Sequence, residues 1–315
     1  SLDDGSTLVV VFLTKDFTRP GSPLAPVVTF SLDGAGGTTV NRAVTAVAAD
    51  FSASKDRCDV RIGSCTAAGD LRDYAVHYED DEVSADLRLH GTVPSWRPGT
   101  GYAFFDEERY FAWLPSVPRG TVEGTVTIGG ATRAVTGVGY HDHNWGNAAL
   151  PGLVDNWYWG RARIGDWTAI ASFITATDRY GGAALPVFML ARGDTIVADD
   201  ASRVRFSAEE VFTDPYTGKP VAGVLVYDYD DGAARYRVTF RRRADIARTK
   251  FVDLLTGLTR LLARLARFDG AYLRFTGTVT LERFENGRVA ETVSQDSAVW
   301  ELMYFGRAPR RAGAP

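Results

Sequence analysis

Short runs of β-branched and aromatic residues alternate with turn dipeptides along most of the chain. Such runs are typical of β-strands. Dipeptides such as Asp4-Gly5, Gly129-Gly130 and Asn286-Gly287 lie between them, and residues of these types adopt the positive φ angles of tight hairpins. The pattern predicts an all-β chain with antiparallel strands that include Thr7–Leu13, Ala25–Leu32, Val122–Ile128, Thr168–Thr175, Val224–Tyr229, Tyr236–Phe240 and Phe275–Leu281.

The pattern of the first half of the chain recurs in the second half. Gly-Thr-Val-Thr occurs at Gly124–Thr127 and again at Gly277–Thr280, and two other pairs of segments match in the same order at a similar offset. Ordered matches of this kind indicate two copies of one β-unit. A chain of 315 residues is long enough for two barrels of about eight strands each. We therefore expect one β-barrel domain over residues 1–150 and a second over 151–315.

The two copies differ at their beginnings. The turn at Gly165-Asp166 in the second copy follows a strand-like segment, whereas the turn at Asp4-Gly5 in the first copy has no such segment before it. We therefore expect the first strand of the first copy to be missing from this sequence.

One segment departs from the strand pattern. Between Asp245 and Phe268, apolar residues recur at helical spacing and form one stripe, with arginines on the opposite side, which predicts an amphipathic helix inserted in the second barrel. Residues 241–267 carry eight basic and two acidic side chains. Three interpretations stay open: a helix that covers the second barrel, a helix that lies on a membrane surface, and an RNA-binding face.

Composition and charge narrow the class of protein. Hydrophobic residues make up 45% of the chain and charged residues 23%, and the formal net charge is −4. These values are typical of a folded globular protein and predict no nucleic-acid partner. No apolar run reaches the roughly 18–20 residues of a membrane span. The sequence leaves the compartment and the oligomeric state open; we favour the cytoplasm, with peripheral membrane contact through 245–268 as an alternative.

Cysteine usage adds little, because Cys58 and Cys65 are the only two cysteines in the sequence. Their spacing fits neither a zinc site nor a Cys-x-x-Cys redox pair. A disulfide across one hairpin and two free thiols are both compatible with this spacing.

The densest cluster of polar and aromatic residues lies at the join between the two copies. Residues 137–146 read Gly-Val-Gly-Tyr-His-Asp-His-Asn-Trp-Gly. In an extended strand the side chains alternate between two faces. One face then carries Tyr140, Asp142 and Asn144, and the other carries His141, His143 and Trp145.

Three interpretations of this cluster remain open. His141 and His143 are two imidazoles with metal-ligand spacing, but they are only part of a metal site, and we predict no metal. Alternatively, the polar residues satisfy backbone groups where the chain crosses between domains. The third interpretation is an active or binding site, in which Asp142 acts as an acid or hydrogen-bond donor, a histidine orients it, and Trp157 and Trp159 of the next strand form an apolar wall.

Motifs for other chemistries are absent from the sequence. It contains no Gly-x-Ser-x-Gly elbow, no phosphate-binding Gly-x-x-x-x-Gly-Lys loop, no His-Glu-x-x-His and no dinucleotide fingerprint. These absences argue against a motif-bearing serine hydrolase, NTPase, zincin or Rossmann oxidoreductase.

The motifs at Cys58–Gly63, Pro94–Pro98, Gly137–Gly146 and Trp157–Trp159 resemble those of a known superfamily. This is the lipocalin-like superfamily that contains the carotenoid 1,2-hydratases (hydroxyneurosporene synthases), the AttH-like proteins and the lipocalin-like Diels–Alderases. The resemblance extends over essentially the whole chain. It implies two consecutive lipocalin-like β-barrels and an apolar ligand such as a polyene, a terpenoid or a polyketide chain.

The resemblance also implies roles for individual residues. Asp142 matches the place of the carboxylic acid that protonates an alkene in the hydratases, with His141 and His143 beside it as candidate catalytic residues. In the cyclases, aromatic walls hold a flexible polyene in a reactive conformation. The residues that match such a wall are Tyr140, Trp145, Trp157 and Trp159, and Asn144 and Tyr158 are further candidate substrate-binding residues.

Together these observations predict a cofactor-independent enzyme that cyclises or hydrates an apolar unsaturated metabolite in a biosynthetic pathway. Its expected partner is a hydrophobic small molecule. The alternative is a non-catalytic carrier of the lipocalin type, in which the same aromatic residues only bind a ligand.

Overall fold

A computed structural model describes residues 1–15, 21–254 and 268–305. The chain divides into two compact units. Unit 1 consists of Ser1–Arg97 and Phe111–Ala148, and unit 2 consists of Pro98–Tyr110 and the chain from Ala149 onward.

The segment Pro98–Tyr110 belongs to unit 2, whereas the predicted boundary at residue 150 places it in the first domain. Two contacts within unit 2 explain this difference. The Tyr180 hydroxyl donates a hydrogen bond to Asp106 Oδ2 at 3.1 Å, and the ring of Phe105 packs edge-on against the ring of Tyr180 at 5.5 Å. Long-range contacts of this kind cannot be seen in the local sequence pattern.

Almost all of the regular structure is antiparallel β-sheet, so the predicted all-β class is confirmed. The first eleven strands are β1 Thr7–Leu13, β2 Val27–Asp33, β3 Thr39–Thr45, β4 Phe51–Ala53, β5 Cys58–Ile62, β6 Cys65–Gly69, β7 Asp73–Glu79, β8 Val83–Gly91, β9 Tyr102–Phe104, β10 Tyr110–Ile128 and β11 Ala131–Gly146. The next elements are the one-turn helix α1 Leu150–Leu153 and the strands β12 Val154–Ile164, β13 Trp167–Ala176, β14 Ala184–Arg192, β15 Thr195–Ala198 and β16 Val204–Glu209. The last strands are β17 Phe212–Thr213, β18 Pro220–Val221, β19 Val224–Asp230, β20 Arg235–Lys250, β21 Ala271–Glu285 and β22 Arg288–Tyr304. Short 3₁₀ turns occupy Ala48–Asp50, Asp178–Tyr180, Ala201–Arg203 and Phe251–Leu254.

Unit 1 has its core between two sheets. A small sheet β1-β2-β3 packs on a larger sheet whose strands follow the order β11-β10-β8-β7-β6-β5-β4. Along β2 the side chains alternate, and Val28, Phe30 and Leu32 are buried. The ring of Phe30 contacts that of the fully buried Tyr78 at 5.0 Å between centroids. Complete burial of one such side chain contributes about 1.5–3 kcal/mol to folding.

Unit 2 is built on a nine-stranded sheet in the order β15-β14-β13-β12-β22-β21-β20-β19-β16. Residues from across this sheet, such as Tyr158, Phe188, Tyr227 and Trp300, belong to one hydrophobic core. The short hairpin of β17 and β18 forms a separate two-stranded sheet. Closure of either unit into a complete barrel stays a prediction.

The predicted helix at 245–268 is wrong in its first part, because residues up to Lys250 continue β20. They pair with β21 as far as Lys250 opposite Ala271. The extended conformation there is stabilised by ladder pairing with the neighbouring strand, and the apolar stripe that suggested a helix lies mostly beyond this point. Residues 255–267, where most of that stripe falls, lie outside the described residues.

Part of the positive charge of this region is paired with carboxylates from elsewhere in unit 2. Arg241 contacts Glu210 at 2.9 Å, and Arg248 contacts Asp214 at 3.1 Å. Arg243 lies 3.6 Å from Asp296. The number of basic residues in 241–267 therefore overstates the positive electrostatic field around β20. Membrane contact through 245–268 stays a prediction. Among the described residues, no helix is both long enough and apolar enough to cross a membrane.

Both cysteines are free thiols. Cys65 is buried and Cys58 is half-buried, and burial raises the pKa of the Cys58 thiol. The hairpin that carries them is therefore held by its strand pairing and not by a disulfide.

The repeated Gly-Thr-Val-Thr sequence has the same backbone environment in both units. A side chain at Gly124 would overlap the carbonyl oxygen of Asp86 on β8. One at Gly277 would overlap the carbonyl oxygen of Arg241 on β20. In each unit, therefore, a glycine permits two neighbouring strands to approach closely.

We expect Gly124→Ala and Gly277→Ala each to lower the free energy of unfolding, by about 1–3 kcal/mol, because the strands must move apart to admit a methyl group. Chemical denaturation measures this loss. Gly36→Ala is the matched control, since a Cβ atom there meets no other atom within 4 Å. A Gly124→Ala protein as stable as the control would contradict the close approach.

Candidate active site

Asp142 lies near the end of β11 and accepts three hydrogen bonds on a single oxygen. Trp113 Nε1 donates to Asp142 Oδ2 at 2.7 Å, the Tyr140 hydroxyl donates at 3.0 Å, and Asn144 Nδ2 donates at 3.3 Å. Within the described parts of the chain, no group donates a hydrogen bond to Oδ1. Because three donors converge on Oδ2, a proton carried by this carboxyl group would reside on Oδ1.

The backbone opposite Asp142 is irregular for a reason visible in the sequence. The pairing of β10 with β11 shifts register twice, between Leu114 and Val117 and between Val117 and Gly120. Pro115 and Pro118 lie in these two intervals, and proline has no N–H to contribute to a ladder. Each shift inserts one extra residue in β10, which is a β-bulge.

The two bulges place Trp113 beside Asp142. The hairpin turn at Gly129-Gly130 sets the register near its tip, with Ile128 opposite Ala131. Continued without bulges, that register pairs Trp113 with Gly146, whereas in the structure Trp113 pairs with Asn144. The indole of Trp113 consequently reaches Asp142, which lies two residues before Asn144.

Trp113 was missed by the sequence interpretation, and its neighbour Trp96 was noticed only as part of the Pro94–Pro98 motif. Both are buried, with exposed fractions of 7% and 5%. Their rings meet edge to face, with centroids 6.1 Å apart. Prolines in a long strand were the available signal, because they mark where its register changes.

The histidines lie on the second face of β11 that the sequence analysis describes. His141 packs edge-on against Tyr74 at 4.4 Å, and His143 lies 5.0 Å from the ring of Trp145. Within the described chain neither histidine makes a hydrogen bond to Asp142. The orienting contacts expected from a histidine are therefore made by Trp113, Tyr140 and Asn144.

Burial lowers the pKa of both His141 and His143 below the ordinary value, while the nearby Asp142 carboxylate acts in the opposite direction. Desolvation disfavours the charged imidazolium. Both rings are therefore neutral at neutral pH. They form a polar but uncharged surface on the face of β11 opposite Asp142.

The remaining predicted site residues lie on β12 in unit 2. Trp157 and Trp159 share one face of the strand and are half-buried, and Trp157 packs against Phe305 at 4.7 Å. Tyr158 points to the other face and is part of the unit 2 core. Its hydroxyl oxygen accepts a hydrogen bond from the Ala222 N–H at 2.9 Å, and burial raises its pKa to about 12.

A metal site does not assemble among the residues that the structure describes, since no three His, Cys, Asp or Glu side chains lie close enough together to hold one. The chemistry that Asp142 and its donors can perform is proton transfer through Oδ1 beside aromatic rings.

The fold is similar to those of several proteins of known structure. A structure of CghA with Sch210972 superposes with a TM-score of 0.65 at 14% identity and covers 96% of this chain and 85% of that chain. Kievitone hydratase from Nectria haematococca gives a TM-score of 0.55 at 14% identity, with 96% and 86% covered. An AttH-like protein from Nitrosomonas europaea gives 0.59 at 15% identity, with 94% and 86% covered.

Within this fold the chain belongs to the family described as a domain of unknown function (DUF7064), which matches residues 27–189. A curated relative is the quinolone epoxide rearrangement protein asqO from Emericella nidulans. It is 26% identical over 250 residues, which are 76% of this chain and 68% of the relative. The predicted resemblance to the superfamily is thereby confirmed.

We expect the stability of unit 1 to fall as pH decreases through about 6.5, the ordinary histidine pKa. Below that pH the unfolded chain binds protons at His141 and His143 that the folded chain does not bind, because burial lowers both folded pKa values. His141→Phe, which keeps a ring against Tyr74, removes one of these protons and flattens the decline. Thermal unfolding between pH 7 and pH 5 measures the effect.

His77 provides a control of opposite sign. Its pKa is raised because Asp86 accepts a hydrogen bond from its ring, so its contribution to stability is fully present below about pH 6.5 and is lost as pH rises through the folded pKa. His77→Gln should remove a gain in stability as pH falls from above the folded pKa to about 6.5, and should leave the decline below that pH unchanged. If His141→Phe also left the decline below about pH 6.5 unchanged, the neutral state inferred for His141 would be wrong.

Proposed function

We propose that this protein is a cofactor-independent enzyme of the isomerase or lyase type that rearranges, cyclises or hydrates an apolar natural product through acid–base catalysis by Asp142. The observation that carries the proposal is the convergence of three donors on Asp142 Oδ2. It directs the proton of the carboxyl group to Oδ1 and holds that group in one orientation. Pre-orientation of a proton donor is what general acid catalysis requires.

The names of the similar proteins support the class of reaction. AsqO is described as a quinolone epoxide rearrangement protein, and the structural neighbour from Nectria haematococca is kievitone hydratase. Epoxide opening and hydration of an unsaturated bond share one requirement, the delivery of a proton to a weakly basic oxygen or carbon. A single carboxyl group meets this requirement without a cofactor.

In the acid step Asp142 Oδ1 delivers its proton to the epoxide oxygen or to an alkene carbon of the substrate. With an epoxide, one C–O bond breaks and a cation develops on the carbon. With an alkene, the π electrons form the new C–H bond and leave the cation on the neighbouring carbon. The cation is then quenched by bond migration, by ring closure or by water, and a proton lost from the product returns to the carboxylate.

The substrate-binding surface that we propose in unit 1 is formed by Tyr140, Asn144 and Trp145. Trp157 and Trp159 of unit 2 stay substrate-binding residues predicted from the sequence. Half-buried indole rings offer large, rigid apolar surfaces, which suits a flexible hydrophobic substrate whose reacting atoms must be brought together. Tyr158 is a weaker candidate, because its ring is in the unit 2 core and its hydroxyl is already engaged by Ala222.

We expect Asp142→Asn to reduce turnover of a synthetic quinolone epoxide by at least about 100-fold, the usual contribution of a general acid or base. Mass spectrometry of the reaction mixture measures consumption of the epoxide. Equilibrium binding of the same probe should change little, because the asparagine keeps the size and polarity of the aspartate.

Asp231→Asn is the matched control for this substitution. Asp231 also accepts a hydrogen bond on Oδ2 from a tyrosine two residues earlier, Tyr229, at 3.0 Å, but it lies in unit 2 on a turn after β19. The Asp231→Asn protein should retain turnover. Equal turnover by wild type and Asp142→Asn would refute acid–base catalysis by Asp142. If the wild-type protein itself bound the probe and did not convert it, the result would instead favour a carrier.

A further inference from the structure

The three donors to Asp142 differ in where they are anchored. Tyr140 and Asn144 lie two residues before and after Asp142 on β11, so their hydrogen bonds move with that strand. Trp113 lies on β10 and makes the shortest of the three bonds, at 2.7 Å. Among these donors, only Trp113 fixes the carboxylate relative to the neighbouring strand.

Trp113 is itself held in place by the proline-containing stretch of β10. The backbone N–H of Trp96 donates to the carbonyl oxygen of Pro115 at 3.0 Å, which ties the 94–98 segment to the bulge. The Trp96 ring then packs edge-on against the Trp113 ring at an interplanar angle of 84°. Because both indoles are more than nine-tenths buried, Trp113 has little freedom to turn its N–H away from Asp142.

From this arrangement we infer that Trp113 is a positioning residue, which holds Asp142 in the orientation that presents Oδ1 to the substrate. The inference rests on the proposed function of Asp142. Trp113 occupies Oδ2 with an N–H that donates but cannot accept, so it leaves the other oxygen as the site of proton exchange. It touches no reacting atom and acts only through the carboxylate.

The contact is testable without any assay of activity. In ¹H–¹⁵N correlation spectra, each of the seven tryptophans contributes one indole N–H signal. The Trp113 signal should shift and exchange faster with solvent in Asp142→Asn, because a neutral amide oxygen accepts a weaker hydrogen bond than a carboxylate does. An unchanged Trp113 signal in Asp142→Asn would overturn the inference, and this comparison requires no variant at Trp113.

The kinetic arm uses Trp113→Phe, which keeps an aromatic ring and removes the donor. With the quinolone epoxide probe, kcat should fall by about 10- to 100-fold, the scale of a misplaced catalytic group, while KM changes by less than about threefold. A loss confined to kcat separates positioning of the acid from simple damage to the substrate-binding surface.

Trp167→Phe is the matched control. Trp167 is also a buried tryptophan whose Nε1 donates to a carboxylate, Glu291 Oε1, at 3.3 Å, but it belongs to unit 2. It should lose comparable stability and retain kcat. If Trp167→Phe lowered kcat as much as Trp113→Phe, the effect would be one of general stability and the inference would fail.

Failure of this inference is distinguishable from failure of the proposed function. An inactive Asp142→Asn together with a fully active Trp113→Phe would overturn the positioning role and leave the catalytic role of Asp142 intact. A fully active Asp142→Asn would overturn the proposed function and, with it, the role inferred for Trp113.

Discussion

Backbone N–H groups in a sheet must find partners, and a strand that contains proline has fewer of them to offer. In β10, Pro115 and Pro118 interrupt the ladder next to β11, and the strand accommodates them by two register shifts. The carbonyl oxygen of Pro115 accepts a hydrogen bond from Trp96 instead. The position of Trp113, the orientation of Asp142 and the packing of Trp96 all depend on this interruption.

The fold class could be predicted from the sequence because the residues that favour a hairpin turn are adjacent in the chain. Thr7–Leu13 coincides with β1, Ala25–Leu32 begins two residues before β2, and the other predicted strands fall within observed ones. The segment 245–250 was misassigned because its partner strand lies more than twenty residues away. Local periodicity cannot reveal that an extended conformation gains hydrogen bonds from so distant a strand, and the same limit hid the contacts that join Pro98–Tyr110 to unit 2.

The candidate site was predictable only along a single strand. The alternation of β11 correctly places Tyr140 and Asn144 on the face of Asp142, because a strand has a fixed period of two residues. Trp113 was not found, since its pairing depends on the number of bulges between the hairpin tip and the site. A histidine was expected to orient Asp142, and an indole does so instead, because the histidines occupy the opposite face.

Gly124 and Gly277 limit which substitutions sequences with this fold can accept during evolution. Every single-nucleotide change of a glycine codon that alters the residue introduces a Cβ atom, and at both positions that atom would overlap a carbonyl oxygen of the adjacent strand. No single-nucleotide substitution at either glycine codon therefore gives a residue that fits without displacing the adjacent strand. While the surrounding side chains are free to diverge with the substrate, these two glycines should persist as fixed reference points for aligning one unit with the other.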